Sequence, residues 1–437
     1  MSAAPPVVII GGGWAGLAAA LELAAHDIPV TLHEAAPQLG GRARNAPFGD
    51  LTVDNGQHLL IGAYRETLRL LALMGTAETE VLHRTRLCLK VLEGDETLLM
   101  QAPPLPAPLH LAWAQLTAGG LSPGERLGAL TMSLRLMLSG FTLAHDISVS
   151  ELLQRHHQGE RISRRLWGPL CLATLNTPPE RASALLFLRV LQESFAHRRH
   201  DADLLIPKVA LGALFPQRAA HFLQRRGATV ALRQRAEALH LDGEQLEAVT
   251  VAGQRLPARH LILATAPRAA CRLLAGHPPL IALQRQISDL GSQPITTLYL
   301  QYPPGHRLEE PMVGMSGTLG QWLFDRHLCG QPGLIAVVIS AEGEHDGWDH
   351  ERLTRQLLGE LARQFPHWPP PLSSRVIREQ HATFECRVGV EARRPANVTP
   401  VGGLWLAGDY TDTGLPATLE GAVRSGVQCA RQIIKHY

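Results

Sequence analysis

Val7-Val8-Ile9-Ile10-Gly11-Gly12-Gly13-Trp14-Ala15-Gly16, running into the Ala/Leu-rich stretch that ends at Ala25, decides the fold. Four apolar residues bounded by proline and glycine predict a short buried parallel strand, and Trp14 to Ala25 predicts a helix. A second strand is expected over Val30 to His33, ending at Glu34, which completes a βαβ opening. Within the G-x-G-x-x-G pattern Gly11 permits a tight turn, Gly13 lets the backbone approach a pyrophosphate, and Gly16 allows the helix to pack close to the strand. Trp14 and Ala15 begin the helix, whose N-terminal N–H groups and dipole favour phosphate. Glu34, about twenty residues beyond the fingerprint, is placed to accept hydrogen bonds from ribose hydroxyls and disfavours a 2′-phosphate. Dinucleotide binding follows from the two features together.

The rest of the chain bounds what surrounds that unit. At 437 residues it exceeds the span of one growing core, so two intertwined domains are expected. A net charge of +2 with no Lys/Arg run argues against nucleic acid as a partner. Six scattered cysteines without a Cys-x-x-Cys pair fit neither zinc nor a disulfide framework and suit a reducing compartment. Met1 to Pro6 lacks the basic start of an export signal, and no window of about twenty residues is free of charge as a spanning helix requires. A cytoplasmic protein is expected.

Helical periodicity covers Arg65 to Met74 and most of Leu109 to Phe195, with Gly119-Gly120 and Pro178-Pro179 as breaks. Phe215 to Arg226 predicts a helix. Thr229 to Leu232, Ala238 to Leu241, Leu246 to Val251 and Leu261 to Ala264 predict strands, with Asp242-Gly243 as a turn. Beyond them come strands at Thr296 to Leu300 and Leu334 to Ile339, a helix at Glu351 to Gln364, a strand at Leu404 to Ala407 and a final helix over Ala417 to Ile434.

Glu34-Ala35 followed by Gly40-Gly41-Arg42-Ala43 resembles the signature of the flavin amine oxidase and phytoene desaturase superfamily. That resemblance implies FAD, with Gly41 and the guanidinium fork of Arg42 at the pyrophosphate. It also gives a role to Gly408-Asp409, with the aspartate at ribityl or phosphate-linked atoms, and to Thr418 and Leu419, whose helix start faces the flavin pyrimidine edge. Ala236 takes the adenine position after Gly227, and Gly56, Gln57 and His58 form a loop against the flavin. The implied fold class is α/β, a Rossmann-type FAD-binding domain interleaved with a mixed α+β substrate domain. FAD-binding parts are expected at 1–85, 206–274 and 401–437, with a mainly helical substrate part at 86–205 and a second at 275–400.

Asp54-Asn55-Gly56-Gln57-His58 with Leu59 to Tyr64, Asn176-Thr177-Pro178-Pro179, and Gly408-Asp409-Tyr410-Thr411-Asp412 running on to Thr418 resemble the hydroxysqualene dehydroxylases, also called squalene-associated FAD-dependent desaturases. The likeness spans essentially the whole chain but is motif-specific only over the first sixty and last thirty residues. It implies reductive removal of the hydroxyl of hydroxysqualene, giving squalene for hopanoid synthesis, with a C30 isoprenoid substrate and an electron donor left unidentified.

Such chemistry needs a dry, apolar site with one acid to protonate the departing oxygen, and aromatic faces such as Trp322 or Phe324 to stabilise a cation. Asp412 is the first choice for the acid and Asp54 the second, each also readable as a carboxylate fixing a turn. His58 can donate a proton or hold the cofactor and its loop. Cys386 lies about twenty residues before the C-terminal motif, so FAD is expected to be non-covalent. Lys208, the midchain lysine, reads as a loop residue rather than a lysine at flavin N5.

His197, His200, Asp201 and Asp203, and the stretch Glu342 to His350, are rich in metal-type ligands but read as solvated polar ends, so no metal is expected. Leu109 to Phe141 reads equally as a core helix pair or as a segment dipping into the inner-membrane interface. Two other functions suit the same motifs: a carotenoid desaturase or amine oxidase running the flavin oxidatively, and a non-catalytic prenyl-lipid-binding protein that has lost FAD.

Overall fold

The computed structural model describes residues 5–195 and 197–436, so the reading of Met1 to Ala4 lies outside the described residues. Val7–Ile10 is a strand with every side chain buried. It forms the centre of a five-stranded, all-parallel sheet in the order Thr229–Leu232, Val30–Glu34, Val7–Ile10, Leu261–Leu263, Leu404–Leu406. A strand enclosed on both faces is apolar throughout, which is why these short runs were readable without alternation.

Helix Trp14–Ala25 is buried from Trp14 to Ala24 because two layers sandwich it. The last helix, Leu419–Ile434, packs on it so closely that a Cβ on Gly426 would strike the carbonyl of Ala15. Trp14 stacks on Phe215 with ring centroids 4.6 Å apart, tying in the helix Pro216–Arg225. Three segments distant in sequence thereby share one apolar core.

The second layer is a seven-stranded sheet ordered Ser373–Thr383, Gln293–Gln301, Leu334–Ser340, Trp322–Asp325, Met312–Met315, Cys88–Glu93, Glu96–Gln101. Alternation divides its residues between faces. Leu298, Leu323, Val337 and Ile339 point to one side, where Leu353 and Leu357 of helix His350–Gln364 cover them. Ile295, Trp322, Phe324 and Val338 point to the other, into the interior of the molecule.

That sheet changes the expectation for residues 86–205. Cys88–Glu93 and Glu96–Gln101 form an antiparallel hairpin that joins the strands of residues 293–383 through a parallel pairing with Met312–Met315. The remainder of the segment is helical as expected: Leu109–Leu116, Pro123–Leu138, Val149–Arg155, Gly168–Leu175 and Ala184–Phe195. These helices cover the sheet's interior face. Among the described residues no helix is long and apolar enough to cross a membrane.

Candidate functional site

A cavity of about 860 Å³ runs from the glycine-rich turn, between the two layers, to the interior face of the large sheet. Its first end is built by the strand–turn–helix at the N-terminus. Gly11 has φ +112° and a Cβ there would strike the carbonyl of Ala264, so only glycine fits. A Cβ on Gly16 would likewise meet the carbonyl of Gly11, which is how helix Trp14–Ala25 approaches the turn.

Gly13 is different. Its φ of −76° suits any residue, and a Cβ there would lie 3.8 Å from the Cα of Gly41, an ordinary contact. The protein itself therefore has room for a side chain at 13. Gly13 and Gly41 expose bare backbone to the cavity, beside the first turn of a helix whose Trp14 and Ala15 also line it. A diphosphate fits that cradle.

Glu34 is held at the end of its strand by two backbone donors, Gly12 N–H to Oε2 at 2.6 Å and Ala36 N–H to Oε1 at 2.7 Å. Each oxygen retains a lone pair for a further donor. The segment Gln234–Ala236 returns alongside, with Gln234 N–H on the carbonyl of Glu34, so Ala35, Ala236 and Glu34 share one end of the cavity.

Arg42 joins the two remote motifs: its Nη2–H donates to Oδ1 of Asp409 and its Nη1–H to the carbonyl of Ala382 at 2.8 Å. Asp409 is buried and its strand end is fixed by Gly408 N–H on Oγ of Ser425 at 2.9 Å. Thr418 caps helix Leu419–Ile434 by accepting from Gly421 N–H at 3.0 Å, and Thr418 and Leu419 line the cavity at that helix start. Glu420, which also lines the cavity, takes the N–H groups of Glu66 and Thr67 on its carboxylate and so caps helix Arg65–Leu73.

The loop of Gly56, Gln57 and His58 faces the same space. Gln57 is fixed by donating to the Tyr299 hydroxyl at 2.6 Å and accepting from Arg326 at 3.0 Å. Burial, reinforced by the charges of Arg326 and Arg42, pushes His58 down to about 4. That direction favours the neutral imidazole and agrees better with His58 holding the cofactor and its loop than with proton donation.

Neither candidate acid lines the cavity. Asp412 is exposed and off the cavity wall, its backbone N–H bonded to the carbonyl of Pro395, because the turn after Asp409 carries it outward. Asp54 is 1% exposed, but it too lies behind the wall. Its carboxylate takes Leu211 N–H at 2.7 Å and pairs with Arg326 at 2.9 Å. Burial raises its pKa while Arg326 opposes the rise. The same Arg326 donates to Oε1 of Gln57 at 3.0 Å, which links Asp54 to the Gln57–His58 loop.

The far end of the cavity is apolar, walled by Leu89, Leu170, Leu191, Ile295, Met312 and Val338, with Trp322 and Phe324 as expected. The polar residues Asn176 and Thr383 interrupt it. Asn176, left-handed at φ +47°, donates to Oγ1 of Thr383 at 2.9 Å and accepts from Ala341 N–H at 2.7 Å. Glu193 also faces the cavity, paired with Arg424 at 2.9 Å. In the sequence Asn176 is marked only as part of a motif, and Thr383 and Glu193 carry no local signature.

Lys208 is exposed and donates to the carbonyl of Thr79. Cys386 is buried behind the wall, and burial pushes its thiol up to about 12. His200 pairs with Asp203, Asp201 with Arg65, and Glu342 with Arg181. Among the described residues no three His, Cys, Asp or Glu side chains gather as a metal site.

The family model for flavin containing amine oxidoreductases matches residues 14–434. A hydroxysqualene dehydroxylase of Rhodopseudomonas palustris is 31% identical, the match covering 98% of each chain. One from Sinorhizobium fredii is 28% identical over 97% of each. Among solved structures, an oxidoreductase from Methanosarcina mazei shares the fold with a TM-score of 0.75 at 14% identity, covering 98% of this chain and all of that one.

Proposed function

The chain belongs to the hydroxysqualene dehydroxylase family of the flavin-containing amine oxidoreductases and is a flavin-dependent oxidoreductase, and from that premise we propose that it removes the hydroxyl of hydroxysqualene reductively, giving squalene for hopanoid synthesis. The observation that carries the reading is the cavity itself: one end is lined by the glycine-rich turn, Glu34 and Arg42, and the other is a mainly apolar chamber that includes the aromatic residues Trp322 and Phe324. A C30 hydrocarbon with one hydroxyl suits such a chamber, whereas a soluble amine would leave it unmatched.

On this reading the flavin is non-covalently held FAD. Glu34 and Ala236 hold its adenosine. Gly11, Gly13, Gly41 and Arg42 hold the diphosphate, and Asp409, Thr418, Leu419 and the Gly56–His58 loop hold the flavin end. When bound and reduced, the cofactor supplies the two electrons of the reaction. The carbon–oxygen bond breaks, the oxygen takes up one proton that comes ultimately from solvent and leaves as water, and the two electrons with a second proton form a carbon–hydrogen bond at the same carbon.

The chain's own part is to exclude water and set polarity. Neutral His58 adds no positive charge beside a developing cation, and Trp322 and Phe324 present π-faces to it. The Asn176–Thr383 pair is the polar anchor for the substrate oxygen, because Oγ1 of Thr383 accepts from Asn176 and its own O–H remains to be donated. The enzyme works in the cytoplasm, peripheral on the inner membrane, with its electron donor a separate partner.

Anaerobic mixing tests the proposal. Reduced holoenzyme should recover its oxidised flavin absorbance on adding hydroxysqualene, with squalene formed. Bleaching of the oxidised enzyme by a carotenoid precursor or an amine, with no response to hydroxysqualene, would replace the reading with a desaturase or oxidase. A protein that neither carries nor takes up FAD would be a lipid-binding relative.

A further inference from the structure

Most of the large hydrophobic side chains that stand exposed among the described residues lie on two consecutive helices, Leu109–Leu116 and Pro123–Leu138. Leu109, Trp113 and Leu116 recur at i, i+4, i+7, and Leu127, Leu134 and Leu138 at i, i+7, i+11, so each set forms one face. Leu138 is 89% exposed, Leu127 60% and Trp113 53%. The opposite faces are already satisfied, with Ala114, Ala129, Met132 and Leu136 in the main core. An outer apolar face of this extent is not needed for folding.

Charge identifies what covers it. Between residues 97 and 145 the sequence has one carboxylate, Glu125. It is turned back onto Ser122 N–H at 2.7 Å in the capping box that starts the second helix. Arg126 and Arg135 sit on the same helix, and among the described residues neither has a carboxylate partner. Arg126 gives Nη1–H to the carbonyl of Leu116, and Arg135 is exposed. Nearby Arg155, Arg161, Arg164 and Arg165 are all ion-paired. An apolar face bearing an aromatic, flanked by unneutralised arginines and almost free of acids, matches an anionic lipid surface.

The inner sides of the two helices belong to the same core cluster as Leu89, Leu191 and Leu204, which line the chamber. We propose that the outer face of helices Leu109–Leu116 and Pro123–Leu138 seats in an anionic bilayer, with Trp113, Leu127, Leu134 and Leu138 among the acyl chains and Arg126 and Arg135 at the phosphates. This gives the proposed peripheral attachment a surface and a lipid charge, and rests on the proposed function only for its relevance to substrate delivery.

Flotation of holoenzyme with vesicles tests it, in the absence of any substrate. The protein floats with phosphatidylcholine vesicles containing phosphatidylglycerol, and more weakly with phosphatidylcholine alone. Leu134→Glu/Leu138→Glu, at exposed positions, keeps flavin content and thermal transition and weakens binding about ten- to a hundredfold per leucine. Arg135→Gln weakens it about fivefold, on the phosphatidylglycerol vesicles only.

Wild-type protein that stays with the aqueous layer, or a double variant that floats as well as wild type, overturns the proposal. So does a wild-type dimer that the leucine variant splits in sedimentation while neither floats, because the face would then belong to a second copy. Failure of the dehydroxylation assay leaves the flotation result standing, and the reverse also holds.

Discussion

Removing the Arg326 side chain tests whether Asp54 is a clamp or an acid. In the folded protein the pair is closed at 2.9 Å with both side chains at most 4% exposed, and Asp54 keeps one further donor, Leu211 N–H. Arg326→Met leaves that carboxylate buried and unneutralised, which costs about 3–5 kcal/mol for a broken buried pair. With unfolding entropy near 2 cal/mol/K per residue, a chain of 437 residues loses roughly 3–6 °C in its thermal transition.

The pH dependence has a definite sign. Asp54 already lies above its ordinary value through burial, held back by Arg326, so losing the arginine raises it further. A carboxyl whose folded pKa is raised gives its stabilising share below the unfolded value and loses it as pH rises through the folded one. The deficit of Arg326→Met is therefore smallest near pH 4 and widens toward pH 8. Asp54→Asn keeps the Leu211 bond and shows no such widening.

The assay is differential scanning of wild type, both single variants and the double variant across that range, with turnover measured beside it. An unchanged transition in Arg326→Met, or a deficit that shrinks with rising pH, refutes the clamp. An Asp54→Asn protein of wild-type stability and no turnover would restore Asp54 as the acid.

Four other outcomes are expected. Gly13→Ala folds normally, since its Cβ meets nothing closer than 3.8 Å, but flavin retention on dialysis falls by about tenfold or more because the added methyl occupies the phosphate approach. Gly11→Ala, by contrast, perturbs the fold itself and lowers soluble yield. Arg42→Lys cannot serve Asp409 and the Ala382 carbonyl with one ammonium, so titration should give flavin binding about tenfold weaker with little change in far-ultraviolet circular dichroism.

His58, pushed down to about 4 from an ordinary 6.5, stabilises the fold above pH 6.5 and loses that share as pH falls toward 4. Replacing it with Gln should flatten the acid limb of the stability profile without moving the neutral-range pH dependence of kcat. A shifted kcat profile between pH 6 and 8 would contradict its neutrality.

Sequence patterns revealed the nucleotide layer almost to the residue because its strands are short, wholly apolar and bounded by glycine, and because its helices carry strong periodicity. The large sheet was only partly readable. Gln293–Gln301 and Leu334–Ser340 are apolar central strands, but the edge strand Ser373–Thr383 is half polar and exposed, so nothing in Ser-Ser-Arg-Val-Ile-Arg-Glu-Gln-His distinguishes it from a loop. The Cys88–Gln101 hairpin alternates as a strand should, yet its partner lies more than two hundred residues away, and pairing at that distance leaves no local mark.

The site followed the same division. Gly11, Gly13, Gly41, Glu34, Arg42 and Asp409 stand out in the sequence because backbone approach and phosphate charge demand particular residue types at fixed places, and all six line one cavity. Asp412 lies off the cavity wall because spacing along the chain does not tell which way a turn projects. Thr383 and Glu193 line the cavity without a local signature, since common polar residues acquire meaning only from an apolar chamber around them.

The most direct test of the central claim is a single turnover of reduced holoenzyme with hydroxysqualene in D2O under anaerobic conditions. One squalene should form per flavin reoxidised, carrying one deuterium at the carbon that bore the hydroxyl. Flavin that stays reduced while hydroxysqualene is recovered intact, or squalene formed without flavin reoxidation, would contradict it.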